Sequence, residues 1–587
     1  MFPDFLLTKK RLTYIIYNVI MCIERGKKMY KFIAKVKKGT AIVTHKEMDN
    51  ADFLFEMKEE NGVITAYLTA KKDLRMQALE LETDKSFAAD DIFYVNGYQS
   101  WSTSREFNKY GELKDILPLG RKLGKFAARC CGIMSDYEFE EYGKTGCFHS
   151  YTYTYFRKKN SRNITLYGSK TERQGFTVFK VDMQNGKFII KKDIEGLMLR
   201  AGEKYEVFNI AVIEKEFDAA FDEYFFDFMG CKKPKIKHLA GYTSWYNYFS
   251  KISEDICLRD LEGMDRAKEC VDIFQIDDGY QTATGDWLST DKKKFPHGMK
   301  YVADKIHEKG YLAGIWLAPF CAQMTSKVLK EHPDWMIVDE DNGKKLFGHV
   351  GWGGAYTLDI YHPEAREYIK SFFHTILNEW GYDMVKLDFL FTQCERPRAG
   401  KTRGQIMCEG VDLLREACGD KLILGCGIPL GPCMGIFDAC RIGCDVNKAF
   451  GGDWVNRLGL NNEVPSTQNA LNNSVFRNHL DGRAFCNDPD VFFLRDNNLT
   501  FNLEQKLVLG KVNAVCGNVL FVSDNAGDYS EETLGYLKNF FTSKDYKVTG
   551  ADYIDNETIR LAFTEDGKEK VLTFDIYTGA SNINECM

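Results

Sequence analysis

The 587-residue chain contains no CxxC, no HxH and no HExxH. Its eighteen cysteines are scattered, and the run Cys426, Cys433, Cys440, Cys444, spaced by seven, seven and four, matches no zinc or iron–sulfur pattern. These absences leave no metal or cofactor to expect, and the thiols read as reduced and buried, as in a reducing cytoplasm. There is also no basic stripe. The 78 basic and 84 acidic residues are mixed and leave a net charge of −6, which argues against nucleic acid as a partner. No apolar run is long enough to span a bilayer. LTYIIYNVIMCI (12–23) follows Lys9, Lys10 and Arg11 and imitates a signal peptide, but it is short and polar and no small-residue cleavage site follows. ERGKK (24–28) before Met29 is what a purine-rich bacterial ribosome-binding site would spell if translated, so residues 1–28 are expected to be an upstream misannotation. Solenoid-length repeats, low-complexity tracts and long linkers are missing as well.

What is present is hydrophobic patterning of two kinds. From 29 to 215 short alternating segments recur: YKFIAKV (30–36), GVITAYLT (62–69), DIFYV (91–95), SYTYTYF (150–156), NITLYG (163–168), GKFIIKK (186–192) and YEVFNIAVIE (205–214). Turn pairs such as Asn61-Gly62 and Asn185-Gly186 separate them, which predicts an N-terminal β-sandwich. EFDAAFDEYFFDFMG (216–230) has helical spacing and ends in glycine, so a linking helix is expected over 216–235. From 236 to 543 the texture changes to eight apolar stretches, most followed by helix-like segments: 238–245, 272–280, 311–320, 382–390, 421–430, 439–446, 483–493 and 518–525. That is the pattern of a (β/α)8 barrel. Alternation returns over 546–580 and predicts a small C-terminal β-domain at 544–587. The chain therefore reads as multidomain.

The chemistry concentrates on YDMVKLDFL (382–390). As a strand it puts Val385, Leu387 and Phe389 on one face and Met384, Lys386 and Asp388 on the other. Charges on an inward face are costly unless paired or placed at a cleft, and a fixed cation keeps a neighbouring carboxylate ionised, as a nucleophile requires. On the sixth stretch Arg441, Gly443 and Asp445 share a face, with Gly443 leaving room for a ligand. Asp445 is either a partner of Asp388 across the barrel mouth or a salt-bridge partner of Arg441. A carboxyl separation of roughly 5–5.5 Å would indicate a retaining glycosidase pair and roughly 6.5–9.5 Å an inverting one. Asp277 and Asp278 at the end of the second stretch suit sugar hydroxyls better than a cation, since further ligands are lacking. Asp488 and Asp490 in NDPD are runner-up general acids or ordinary turn residues. Trp245 and Trp316 end the first and third stretches, where an indole can face a sugar ring or simply fill the barrel mouth. Trp101, in the loop NGYQSWSTSREF (96–107), is a stacking platform or a core residue, the core being favoured by composition.

GYTSWYNYF (241–249), FQIDDGYQ (274–281), GIWLAPF (314–320), KLDF (386–389), LGCGIPL (424–430) and RIGCD (441–445) together resemble the motifs of glycoside hydrolase family thirty-six, the melibiase-type α-galactosidases. NGYQSW (96–101) resembles that family's sandwich loop. The resemblance implies a retaining α-galactosidase with Asp388 as nucleophile and Asp445 as general acid and base. It implies that Asp277, Asp278, Lys386 and Arg441 hold galactose hydroxyls, that Trp316 is a stacking wall, and that Trp245, Cys426 and Trp101 lie near the site. The partner is then a small oligosaccharide, and the protein a possible homo-oligomer. An α-N-acetylgalactosaminidase, a galactosyl transferase or a non-catalytic sugar-binding protein on the same scaffold are the alternatives.

Overall fold

The computed structural model describes residues 30–116, 135–340, 343–349, 351–451 and 463–587; the reading of 1–28 lies outside them. Two seven-stranded antiparallel sheets form the N-terminal region. One runs in the order Ala41–His45, Lys31–Lys38, Leu74–Asp84, Lys187–Asp193, Phe176–Asp182, Cys147–Tyr151, with Met198–Leu199 paired to Leu74–Asp84 off this path. The other runs Phe53–Glu60, Val63–Ala70, Lys204–Glu216, Asn163–Ser169, Tyr153–Lys158, Asp91–Val95, Arg105–Phe107. Asn61 (φ 51°) and Gly62 (φ 74°) close a two-residue hairpin between Glu60 and Val63, because both central positions of such a turn need the left-handed region that this pair tolerates. The segment expected as one strand over 150–156 is two. Thr152 has φ 70° and breaks it, so Cys147–Tyr151 lies in one sheet and Tyr153–Lys158 in the other. Between the sheets, Phe53, Phe93, Phe179, Phe188 and Phe208 fill a core of their own.

The linking helix is shorter than expected. Glu216 caps it by accepting from the Asp218 and Ala219 amides, the helix runs Phe217–Asp222, and a wider turn carries it to Phe228 before Gly230 (φ 76°) ends it. Phe221, Tyr224 and Phe225 are fully buried and tie the sandwich to the next unit.

That unit is a ring of parallel strands: Leu239–Thr243, Ile273–Ile276, Leu312–Leu317, Met384–Leu387, Leu422–Gly425, Ala439–Arg441, then Cys486–Asp488 and Val491–Phe492, and Val519–Val522. The seventh position is divided. Cys486–Asp488 pairs with the sixth strand, Val491–Phe492 with the eighth, and Pro489, which has no N–H to give a ladder, sits at the break. Helices such as Glu254–Met264, Met299–Glu308, Pro363–His374, Arg403–Cys418, Thr467–Phe476, Leu503–Cys516 and Glu531–Phe541 follow the strands. After the fifth strand only the single turn Leu430–Cys433 is made. Beyond the ring, Tyr546–Tyr553, Thr558–Glu565 and Lys568–Asp575 form a three-stranded antiparallel sheet.

The sandwich loop is clamped to the barrel. Arg477, fully buried, donates from Nη1 to the carbonyls of Ser100 (2.6 Å) and Ile442 (2.7 Å), and from Nη2 to those of Gly97 (3.2 Å) and Gln99 (3.1 Å). One and two turns earlier on the helix Thr467–Phe476, Asn473 donates to Ser102 O (3.0 Å) and Asn469 to Trp101 O (2.9 Å). Carbonyls that a loop leaves unpaired are thus satisfied by amide and guanidinium side chains on one helix face, which fixes where Trp101 lies.

Candidate active site

The fourth strand ends at Leu387, and Asp388 is the first residue past it. Its amide still follows the sheet, donating to Leu317 O at 2.9 Å. The carboxylate accepts from the Phe389 amide on Oδ1 (2.7 Å) and from Trp316 Nε1 on Oδ2 (3.3 Å). Burial pushes the Asp388 pKa up; the Lys386 cation pulls it back, and the Asp445 charge pushes it up again.

Lys386 points inward as the alternation requires and meets Asp277 of the second strand, Nζ to Oδ2 at 2.9 Å, with both side chains buried. Burial alone would lower the lysine's pKa, but the Asp277 carboxylate overcomes this and holds it raised. Asp277 Oδ2 also accepts from Gln275 Nε2 (2.9 Å) and Thr243 Oγ1 (3.4 Å). Oδ1 takes the Asp278 amide (2.9 Å). Asp278 is less occupied. Its Oδ1 accepts from Gln281 Nε2 (2.5 Å) and its Oδ2 from Trp352 Nε1 (2.8 Å), while burial raises its pKa.

Arg441 ends the sixth strand, buried, and faces three carboxylates: Asp445 Oδ1 from Nη1 (2.9 Å), Asp488 Oδ2 from Nε (3.1 Å) and Asp490 Oδ1 from Nη2 (2.7 Å). Of these, Asp445 alone is open to solvent, with 39% of its side chain exposed. Asp488 and Asp490 are fully buried, so they are not reachable acids; they hold Arg441, and Arg441 holds Asp445. Asp490 Oδ2 is taken by the Val446 amide (2.7 Å) and Tyr246 Oη (2.5 Å), and burial raises its pKa. Asp445 is thus bridged to Arg441, as one of its two readings expects, and its charge adds to the raised pKa of Asp388.

Three expectations change. Gly443 does not make room for a ligand: a Cβ there would lie 3.2 Å from Ala470 Cα, so the glycine lets the following helix pack close. Phe389 does not continue the strand's outward face. It takes φ 54° and sets its ring against Trp352 (5.2 Å) and Trp101 (6.4 Å). Trp316 is buried and offers little face to a sugar; its N–H is spent on Asp388. Trp101 is half-buried, and a Cβ on Gly427 would meet both Trp101 Cη2 (2.9 Å) and Asp388 Oδ1 (3.0 Å), which places this sandwich residue beside the carboxylate of the barrel. The Cys426 amide donates to Leu387 O (2.8 Å), and its thiol pKa is raised by burial and then by Asp388. Trp245, half-buried, packs edge-on against Phe249 at 5.0 Å and takes no part in the bonds that join the other residues.

Trp352 escaped the sequence reading. The signal was there: an indole among Gly351, Gly353 and Gly354 marks a backbone held in an unusual conformation for a large side chain.

Residues 247–408 match the family model described as Melibiase. The chain is 32% identical over 133 residues to the α-galactosidase Mel36A of Lactobacillus acidophilus, covering 21% of this chain and 17% of that one. It is 30% identical over 131 residues to the A type blood α-D-galactosamine galactosaminidase of Flavonifractor plautii, covering 21% and 12%. The alignments thus span under a fifth of these relatives' lengths. In fold it matches the α-galactosidase TtGalA of Thermus thermophilus, solved with p-nitrophenyl α-D-galactopyranoside, at a TM-score of 0.68 and 23% identity, covering 93% of this chain and 98% of that one. The match of residues 247–408 to the Melibiase model and the similarity to Mel36A agree with the resemblance to the melibiase-type α-galactosidases read from the motifs.

Proposed function

We propose that this protein is a retaining α-galactosidase acting on terminal α-galactosyl residues of small oligosaccharides. The observation that carries the reading is the pair Asp388 and Asp445, each backed by a buried cation of its own strand, Lys386 and Arg441, at the carboxyl ends of parallel strands. Asp388 attacks the anomeric carbon while protonated Asp445 gives its proton to the departing glycosidic oxygen, so the C–O bond to the leaving group breaks as the glycosyl ester forms. Water then attacks the same carbon, Asp445 takes its proton, and the ester bond to Asp388 breaks to release the sugar. Lys386 and the Trp316 N–H favour the ionised nucleophile against the burial that disfavours it. The Asp278 acceptors are available to sugar hydroxyls.

The names of the relatives support the substrate class: Mel36A is an α-galactosidase, and TtGalA was solved with an α-galactoside. The galactosaminidase relative favours a second reading, the same chemistry on an N-acetylated or free galactosamine. Every cysteine among the described residues is a free thiol, which fits a proposed cytoplasmic location. The test is release of p-nitrophenol from the α-galactoside beside the α-N-acetylgalactosaminide and α-glucoside. Turnover of the first, abolished in Asp388→Ala and Asp445→Ala, supports the proposal. Preference for the second changes the substrate and keeps the chemistry, whereas undiminished turnover in Asp388→Ala overturns the catalytic assignment.

A further inference from the structure

Two aromatic residues in the site have left-handed backbones. Trp352 has φ 57° and ψ 23°, and Phe389, next to the nucleophile, has φ 54° and ψ 33°. Large side chains avoid this region, so each position is held against a local cost. The two rings meet edge to face at 5.2 Å and 80°. What holds Trp352 can be named. Its carbonyl accepts from Gln323 Nε2 (2.8 Å), its ring packs on Trp316 at 6.0 Å, and the Gly354 amide closes the turn on Gly351 O (2.9 Å). The consequence of the conformation is that the indole N–H reaches Asp278 Oδ2 at 2.8 Å.

The two neighbouring carboxylates then have different parts. Asp277 Oδ2 has three donors among the described residues, Lys386, Gln275 and Thr243, and its Oδ1 takes the Asp278 amide. It serves mainly as the counterion of Lys386. Among the described residues Asp278 has one side-chain donor on each oxygen, Gln281 on Oδ1 and Trp352 on Oδ2. A carboxylate has about four acceptor sites, so each Asp278 oxygen keeps capacity for a hydroxyl. With one donor on either side, the carboxylate plane cannot turn without losing a bond in a buried place.

We propose that Trp352 is a positioning residue for sugar recognition: its indole N–H orients Asp278 so that the remaining acceptors face two adjacent hydroxyls of a hexopyranose. This rests on the site being a glycosidase site, but it makes a separate claim about which carboxylate reads the sugar and what aims it. The same N–H favours the ionised form of Asp278, opposing burial.

Trp352→Phe keeps a ring and removes the N–H. Affinity for free galactose, read by calorimetry, should fall about 10- to 100-fold, the range for losing a hydrogen bond to a charged group. If the chain turns over p-nitrophenyl α-galactoside, KM should rise by a similar factor with kcat changed less. The acid limb of kcat/KM should move to higher pH, because the loss of the donor raises the Asp278 pKa. Asp278→Asn should weaken binding too, and adding Trp352→Phe to it should cost little more, since the two act through one bond. A second measurement needs no folded variant at the position: the Trp352 indole ¹⁵N–H resonance of otherwise native protein should titrate with Asp278 and lose that titration in Asp278→Asn. Full additivity of the two substitutions, an unmoved pH profile, or an indole resonance blind to Asp278 would overturn the proposal. Galactose binding without turnover would refute the hydrolase reading while leaving this one to be decided by the calorimetry and the resonance. A wild-type protein that binds no galactose would refute both.

Discussion

Lys386 Nζ and Asp277 Oδ2 meet at 2.9 Å from the fourth and second strands of the ring, both out of solvent. They span the third strand, Leu312–Leu317, whose Trp316 donates to Asp388. Removing the lysine strands a buried carboxylate, which costs about 3–5 kcal/mol. Lys386→Met should therefore lower the melting temperature clearly. It should also shift the acid limb of kcat/KM upward. Lys386 lowers the Asp388 pKa, so without it this carboxylate is ionised only at higher pH. Melting curves and a pH–rate profile check both effects.

Gly427 tests how tightly Asp388 is placed. It has φ 54°, and a Cβ there would lie 3.0 Å from Asp388 Oδ1 and from the Phe389 amide, and 2.9 Å from Trp101. Gly427→Ala should displace the carboxylate and reduce kcat by about 100-fold, the scale of a small misplacement of a reacting group. Stability should fall too, by about 2 kcal/mol for left-handed backbone in a non-glycine residue and about 1–3 kcal/mol for the crowding. Kinetics and a melting curve on one preparation separate the two.

The clamp on the sandwich loop predicts that Arg477→Lys harms the site from a distance. Lysine cannot serve four carbonyls in a plane, and at least one would be left unpaired in a buried place, costing about 3 kcal/mol. Activity and melting temperature should fall together. An added Trp101→Phe should then cost less than it does in the native protein.

A pH effect on stability arises away from the site. Glu172 is buried at the seam between sandwich and barrel, where Gly431 approaches it, and burial raises its pKa to about 7 against the pull of Lys192. Burial likewise lowers the Lys192 pKa. The folded pKa of Glu172 exceeds its unfolded value of 4.5, so its contribution to stability is complete below about pH 4.5 and is lost as the pH rises through 7. Glu172→Gln should remove that slope. Relative to wild type it should gain about 3 kcal/mol between pH 4.5 and 8, measured by denaturant unfolding at each pH.

The parts of the fold legible in the sequence were those with one period and one partner. KLD was readable because two-residue alternation puts Lys386 and Asp388 on a single face, and the eight apolar stretches were readable because strands of a barrel bury both sides. Alternation failed where strands end. Phe389 lies one residue past Asp388 and turns left-handed, so its ring faces the site and not the helices. Thr152 splits a segment whose pattern runs unbroken, because crossing between sheets costs one residue with positive φ and leaves no mark on hydrophobicity. Asp488 and Asp490 were visible as candidates, but their burial depends on the interrupted seventh strand and on Arg441, 47 residues earlier than Asp488. The glycines around Trp352 marked its loop as unusual, but its bond to Asp278 joins that loop to a strand end 74 residues away, a meeting that no local pattern records.

The most direct test of the central claim, that Asp388 and Asp445 form a retaining pair, is the anomer first released from p-nitrophenyl α-galactoside, followed by proton NMR before mutarotation. Double displacement predicts that α-galactose appears first and β-galactose grows in later. Initial release of β-galactose would contradict the account, since it requires direct attack by water and leaves Asp388 no role as a nucleophile.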